Sequence, residues 1–139
     1  IAAAHGMSFS IHNHWWEFQK LAGTDRWVYE IMLEHLSPTV CFQIDTYWVK
    51  VGGADPVSVI KKIGKRAPLL HIKDGPGVKD QPMLAAGTGV MDFPSIVKAA
   101  AKTADWHIIE LDRCATDMMT AVAESYAYMV GKGLSRGNK

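Results

Sequence analysis

The stretch TVCFQIDTYWVKVGGADPVSVIKKIGKRAPLLHIK (Thr39–Lys73) decides the fold. Thr39–Ile44 is rich in apolar and β-branched residues and ends at Asp45, the pattern of a strand. Gly52-Gly53 breaks the chain. Asp55-Pro56 then opens a helix over Val57–Lys65, with Asp as N-cap and Pro at the first helical position. Lys61, Lys62, Lys65 and Arg66 place cations at its negative C-terminal end. Pro68–Ile72 is a second strand. A strand, a helix and a strand in succession form a β-α-β unit, whose two strands run parallel.

The same alternation continues outward in both directions. Ile1–Gly6 reads as the end of a helix running into a strand at Met7–Asn13. Trp27, Val28, Ile31, Met32 and Leu36 follow helical spacing. They predict an amphipathic helix over Thr24–Leu36, capped by Thr24 or Asp25 and stopped by Ser37-Pro38. Downstream, Lys73–Met91 is rich in glycine and proline and is expected to be a long, mobile loop. Asp92 caps a helix through Pro94, Ile96, Val97 and Ala100, and His107–Leu111 is a fourth strand. Ala115–Gly131 is a long helix with Met118, Ala121, Val122, Tyr126 and Met129 on one face. The tail after Gly133 is expected to fray. The order β-α-β-α-β-α-β-α gives an α/β fold with a parallel sheet.

Composition bounds the partners. A chain of 139 residues makes one domain, residues 1–139, with a real core. Fifteen Lys and Arg against fourteen Asp and Glu leave a net charge of +1, which gives no reason to expect a nucleic acid or an anionic membrane as partner. No apolar run approaches the length of a membrane span. Cys41 and Cys114 form neither a disulfide framework nor a CxxC motif. They read as free, buried thiols in a reducing compartment, hence a cytoplasmic protein.

Each strand stays apolar until its C-terminal end and then offers side chains that can hold a metal. The first ends in His12-Asn13-His14, the second in Asp45, the third in His71 and the fourth in Glu110. Period-two alternation puts Ser10, His12 and His14 on one face, as it does Gln43 with Asp45, His71 with Lys73, and Glu110 with Asp112. Parallel α/β sheets build their active sites at the carboxyl ends of the strands. Four adjacent strands therefore align His12 or His14, Asp45, His71 and Glu110 along one edge. Imidazoles mixed with carboxylates suit Mn²⁺, Co²⁺, Zn²⁺ or Mg²⁺. A lone histidine or aspartate at a strand end is more often a hydrogen-bonded turn residue; the recurrence at four successive ends is what points to a site. Asp55 and Asp92 are helix caps. His5, His35 and His107 receive no role. Glu30 and Glu34 share a charged helical face and read as solvated. Trp15 and Trp16 either wall a pocket or pack a core.

IHNHWWEF (Ile11–Phe18), QIDTYW (Gln43–Trp48), LLHIKD (Leu69–Asp74), AGTGVMDFPSIV (Ala86–Val97) and IIELD (Ile108–Asp112), in this order, resemble the sugar phosphate isomerase/epimerase family. The resemblance implies the xylose-isomerase-like TIM barrel, and its strands five to eight in particular. The chain would then be a (β/α)4 half of a TIM barrel, with parallel strands and helices on the outer face. A whole barrel needs eight strands and about 250 residues, so the resemblance also implies an N-terminal half beyond this sequence.

The family takes one metal ligand from each of four strand ends. Asp45, His71 and Glu110 match three of them. Where sugar 3-epimerases carry a Glu at the first position, this chain has His12 and His14. The implied reaction is proton abstraction next to the carbonyl of a sugar or keto-sugar, through an enediolate. Glu110 would double as base, Glu17 would act as acid/base or as support for a ligand, Lys73 would bind a substrate oxygen and Trp16 would contact the sugar. A keto-sugar dehydratase is possible on the same residues. The competing reading is a half barrel that keeps the ligands without activity. A nuclease of the same fold would need a richer metal cluster and a basic face, and the sequence offers neither. Open barrel edges lead us to expect a homo-oligomer, or pairing with the other half.

Overall fold

The structure, a computed structural model, describes residues 1–137. Four strands run parallel, β1 (Phe9–His12), β2 (Val40–Asp45), β3 (Leu69–Ile72) and β4 (Trp106–Ile109). Their spatial order is their sequence order. Helix α1 (Val28–His35) lies between β1 and β2. Helices α2 (Thr46–Val51) and α3 (Pro56–Ile63) lie between β2 and β3, α4 (Phe93–Ala100) between β3 and β4, and α5 (Met118–Gly131) follows β4. The expected (β/α)4 half of a TIM barrel is what the chain forms.

The pleat separates two faces. Ile11, Phe42, Ile44, Leu70, Ile72 and Ile109 alternate along their strands and pack into one core with Val59, Ile60 and Ile63 of α3 and Phe93 and Ile96 of α4. The opposite face carries Ser10, His12, Gln43, Asp45 and His71. Asp45 pairs directly with His71 across the ladder, and His71 with Ile108. The functional candidates therefore share the face away from the helices.

Several boundaries differ from expectation for identifiable reasons. Helix α1 starts at Val28, not at Thr24 or Asp25. Residues 20–27 close instead into a turn bridged by Lys20 and Trp27, and the Thr24 hydroxyl donates to the Leu21 carbonyl within it. The Glu30 carboxylate reaches back to the Trp27 N–H and also pairs with Lys62. Helix α2 was not anticipated. Tyr47, Trp48 and Val49 are all buried there, so no amphipathic period betrays it. Arg66 does not serve the end of its own helix. Its guanidinium donates to the carbonyls of Leu33, Ser37 and Val40 at 3.0 Å each, closing the C-terminus of α1, and stacks over Phe42. Helix α5 begins at Met118, capped by Asp117, and buries Ala121, Ser125 and Met129 rather than Tyr126, which is exposed.

The loop between β3 and α4 is held, not loose. Asp74 is fully buried. Its carboxylate accepts the backbone N–H groups of Gly75, Gly87, Gly89 and Met91 at 2.8–3.2 Å. A Cβ on Gly89 would overlap the Asp74 carboxylate and the Gly75 backbone, so only glycine fits. The segment after Gly133 also departs from the frayed tail expected. Leu134 packs against the core and the Ser135 hydroxyl meets His107 Nδ1 at 2.7 Å. Asn138 and Lys139 lie outside the described residues. Cys41 and Cys114 are free, as expected, but half-buried rather than buried. No helix among the described residues is long and apolar enough to cross a membrane.

Candidate metal centre at the strand ends

One side-chain atom each from His12, Asp45, His71 and Glu110 lies within 4.8 Å of the others. The four residues come from the ends of four successive strands, and backbone geometry explains why they converge. Asp45 leads from β2 into α2. Its Oδ1 accepts the Trp48 N–H at 2.9 Å and caps the helix, leaving Oδ2 to face the cluster. Just past β1, the Asn13 side chain takes the place of a further ladder pair. Its Oδ1 accepts the Asp45 N–H at 2.9 Å and its Nδ2 donates to the Asp45 carbonyl at 3.1 Å. Thr46 Oγ1 donates to the His71 carbonyl at 3.1 Å, tying β2 to β3 beside the ligands.

Within the cluster, His12 Nε2 stands 3.8 Å from Asp45 Oδ2, and His71 Nδ1 meets Glu110 Oε2. The His12 and His71 rings are 4.6 Å apart. Lys73 sits beside them, almost fully buried. Its Nζ lies 2.9 Å from Asp45 Oδ2, 3.1 Å from Glu110 Oε2 and 3.0 Å from Asp112 Oδ2. Among the described residues, His12 Nδ1, Asp45 Oδ2, His71 Nδ1 and Glu110 Oε2 are buried without a well-formed hydrogen bond, although the last three lie in the ionic contacts just given. Buried polar atoms are ordinarily satisfied by well-formed hydrogen bonds, whereas these are held mainly by ionic contacts with one another and with Lys73. Two imidazoles with two carboxylates are a fitting donor set for a divalent cation of the Mn, Co, Zn or Mg type.

Electrostatics prepare the donors differently. Burial, helped by the neighbouring His71 and Lys73, lowers His12 to about 4. Burial also lowers His71, against the pull of Glu110. Burial thus disfavours the charged form of both rings, and a neutral imidazole is the form that coordinates a metal. Burial pushes Asp45 up to about 7, with Lys73 pulling the other way. Glu110 is more open: burial pushes it up, but the Lys73 ammonium and His71 outweigh this and hold it below the usual carboxylate range. Burial works against the Lys73 charge, yet Asp45, Asp112 and Glu110 together raise it.

The structure places the remaining candidates around this group. His14 stands outside the four. Its ring stacks on Trp16 at 4.3 Å and meets His12 edge-on at 5.0 Å. Trp16 is exposed, whereas Trp15 packs against the core under Lys79. Glu17 accepts the His14 N–H at 2.9 Å. Asn13, Thr46, Asp74 and Asp112 position the site and were not singled out from the sequence. Asp112 had a signal, since it follows Glu110 by two residues and shares its face.

Comparison with known proteins agrees with this fold. A sugar phosphate isomerase/epimerase from Parabacteroides distasonis is 28% identical, with a TM-score of 0.81 over 95% of this chain and 48% of that one. An L-ribulose 3-epimerase is 19% identical, with a TM-score of 0.65 over 95% of this chain and 48% of that one. A probable 3-DHS dehydratase from Bacillus anthracis is 16% identical, with a TM-score of 0.65 over 91% and 51%. The chain thus spans about half the length of these solved structures. No curated protein sequence matches it. A family model described as the xylose isomerase-like TIM barrel matches residues 1–129, and with that match across four parallel β-α units the chain belongs to the xylose isomerase-like TIM barrel family.

Proposed function

We propose that this chain carries the metal-binding half of a sugar or keto-sugar isomerase or epimerase that removes a proton next to a carbonyl. The observation that carries the reading is the convergence of four metal-capable side chains from four strand ends, with one ligand atom of each within 4.8 Å of the others. His12, Asp45, His71 and Glu110 would hold a divalent cation. Such a cation polarises a carbonyl oxygen and so acidifies the adjacent C–H. Glu110 is the more exposed carboxylate of the group and is held anionic, which suits it to accept that proton. Lys73 is held by Asp45, Glu110 and Asp112 and would donate to a substrate oxygen only by leaving one of them. The stacked His14–Trp16 pair offers a flat surface to the apolar face of a sugar ring. Glu17, bonded to the His14 backbone, would support that surface or act as acid/base beside it.

Calorimetric titration with Mn²⁺ tests the metal reading, and solvent deuterium uptake into added ketoses tests the proton abstraction. His12→Ala should lower Mn²⁺ affinity by about 10-fold or more, whereas His14→Ala should leave affinity within about 2-fold and impair sugar binding. Equal loss of metal affinity in both would put two ligands on this strand. Deuterium uptake followed by loss of a β-hydroxyl would reveal a dehydratase on the same residues. Tight Mn²⁺ binding without uptake would favour a half barrel that keeps the ligands without activity.

Assembly belongs to the same proposal. Residues 1–139 act as one domain, but β1 and β4 are the two outer strands of the sheet. Phe9 and Trp106 on those strands are largely exposed. Unpaired strand edges seek partners: either a second copy, which supplies the eight strands of a closed barrel, or an N-terminal half that does the same. Light scattering at micromolar concentration should therefore give about twice the chain mass. A cooperative monomer would mean that the edges are covered in another way.

A further inference from the structure

Lys73 touches the same atoms that a metal would use. It follows His71 by two residues, so its side chain rises on the cluster face, and it is 1% exposed. A buried ammonium persists only with partners, and Lys73 has three carboxylates. Two of its contacts, Asp45 Oδ2 and Glu110 Oε2, belong to two of the four residues that could hold a metal. The third partner, Asp112, stands outside the four-residue group and meets the ammonium with both oxygens, at 3.1 and 3.0 Å.

We propose that Lys73 is a built-in counter-cation that competes with the metal for Asp45 and Glu110, and that Asp112 is the anchor onto which it withdraws when the metal binds. This rests on the metal reading above. Asp112 is thereby a positioning residue, acting on the metal only through Lys73. The arrangement keeps the buried carboxylates paired at all times and sets the metal affinity below what the four donors alone would give.

A double-mutant cycle read by calorimetry with Mn²⁺ tests this. Lys73→Met should bind Mn²⁺ about 10-fold more tightly than the natural chain, and Asp112→Asn about 5-fold less tightly. In the double variant the Asp112→Asn effect should shrink to less than about 2-fold, because no ammonium remains to be anchored. Lys73→Gln should tighten binding in the same way, and its circular dichroism melt guards against a misfolded Lys73→Met. Metal binding by the natural chain without tightening in either Lys73 variant overturns the competition alone. An undiminished Asp112→Asn effect in the double variant overturns the anchoring role. No Mn²⁺ binding by the natural chain or by either Lys73 variant overturns the metal reading and this proposal together, whereas binding only after Lys73 is replaced supports both.

Discussion

Replacing Asp74 by alanine should destabilise the fold by about 4 kcal/mol, the largest single-site loss expected outside the hydrophobic core. The carboxylate is fully buried and accepts four backbone N–H groups from Gly75, Gly87, Gly89 and Met91. Alanine leaves those donors facing a gap, and each unsatisfied buried donor costs about 1–3 kcal/mol before water partly refills the space. Asparagine keeps one acceptor oxygen and should cost roughly half as much. Urea unfolding measures the loss. Limited proteolysis should find new cleavage within residues 75–91 of Asp74→Ala, because the loop loses the centre that gathers it. An unchanged urea midpoint would mean that the loop is held by its other contacts, such as the Gly77 N–H on the Tyr47 hydroxyl. The consequence reaches the site, since Asp74 directly follows Lys73.

This loop also shows where sequence reasoning stops. Glycine-rich composition speaks for backbone freedom, but the same glycines allow close approach to one buried acceptor. Only the fold reveals that Asp74 is that acceptor. The four-fold alternation of strand and helix was legible because its punctuation is local. Asp55-Pro56 and Asp92 cap their helices where the sequence places them. Thr24 and Asp25 misled because residues that cap helices equally well close turns. Helix α2 stayed hidden because Asp45, the residue that announces it, also reads as a strand-end ligand.

The candidate site was legible in its composition and less so in its membership. Period-two alternation correctly put Asp45, His71 and the cluster on one face. The same rule made His12 and His14 equivalent, yet β1 ends at His12. Beyond that point the chain turns, Glu17 takes the His14 N–H, and the pleat no longer governs where the ring of His14 goes. Asn13, on the face that the pattern assigns away from the cluster, became the bridge to β2. Long-range pairing of this kind, 32 residues apart, leaves no local signature.

Replacing Asp45 by asparagine should lower Mn²⁺ affinity by at least about 100-fold while leaving the protein folded. Loss of a residue that merely supports a ligand costs about 10- to 100-fold, and loss of a charged ligand should cost no less. The substitution is chosen because Asp45 does two jobs with two oxygens. Oδ1 caps α2 by accepting the Trp48 N–H, and Oδ2 faces His12, Lys73 and the cluster. Asparagine is as good an N-cap as aspartate, so the helix keeps its start. Asn13 holds residue 45 through its backbone, so the register of β1 and β2 should persist. Asp45→Ala, by contrast, should lose the cap as well, at a further cost of about 1 kcal/mol in urea unfolding. Calorimetry with Mn²⁺ and a circular dichroism melt on both variants separate the two jobs. Unchanged Mn²⁺ affinity in a folded Asp45→Asn would remove Asp45 from the metal site and leave it only as the cap that turns β2 into α2.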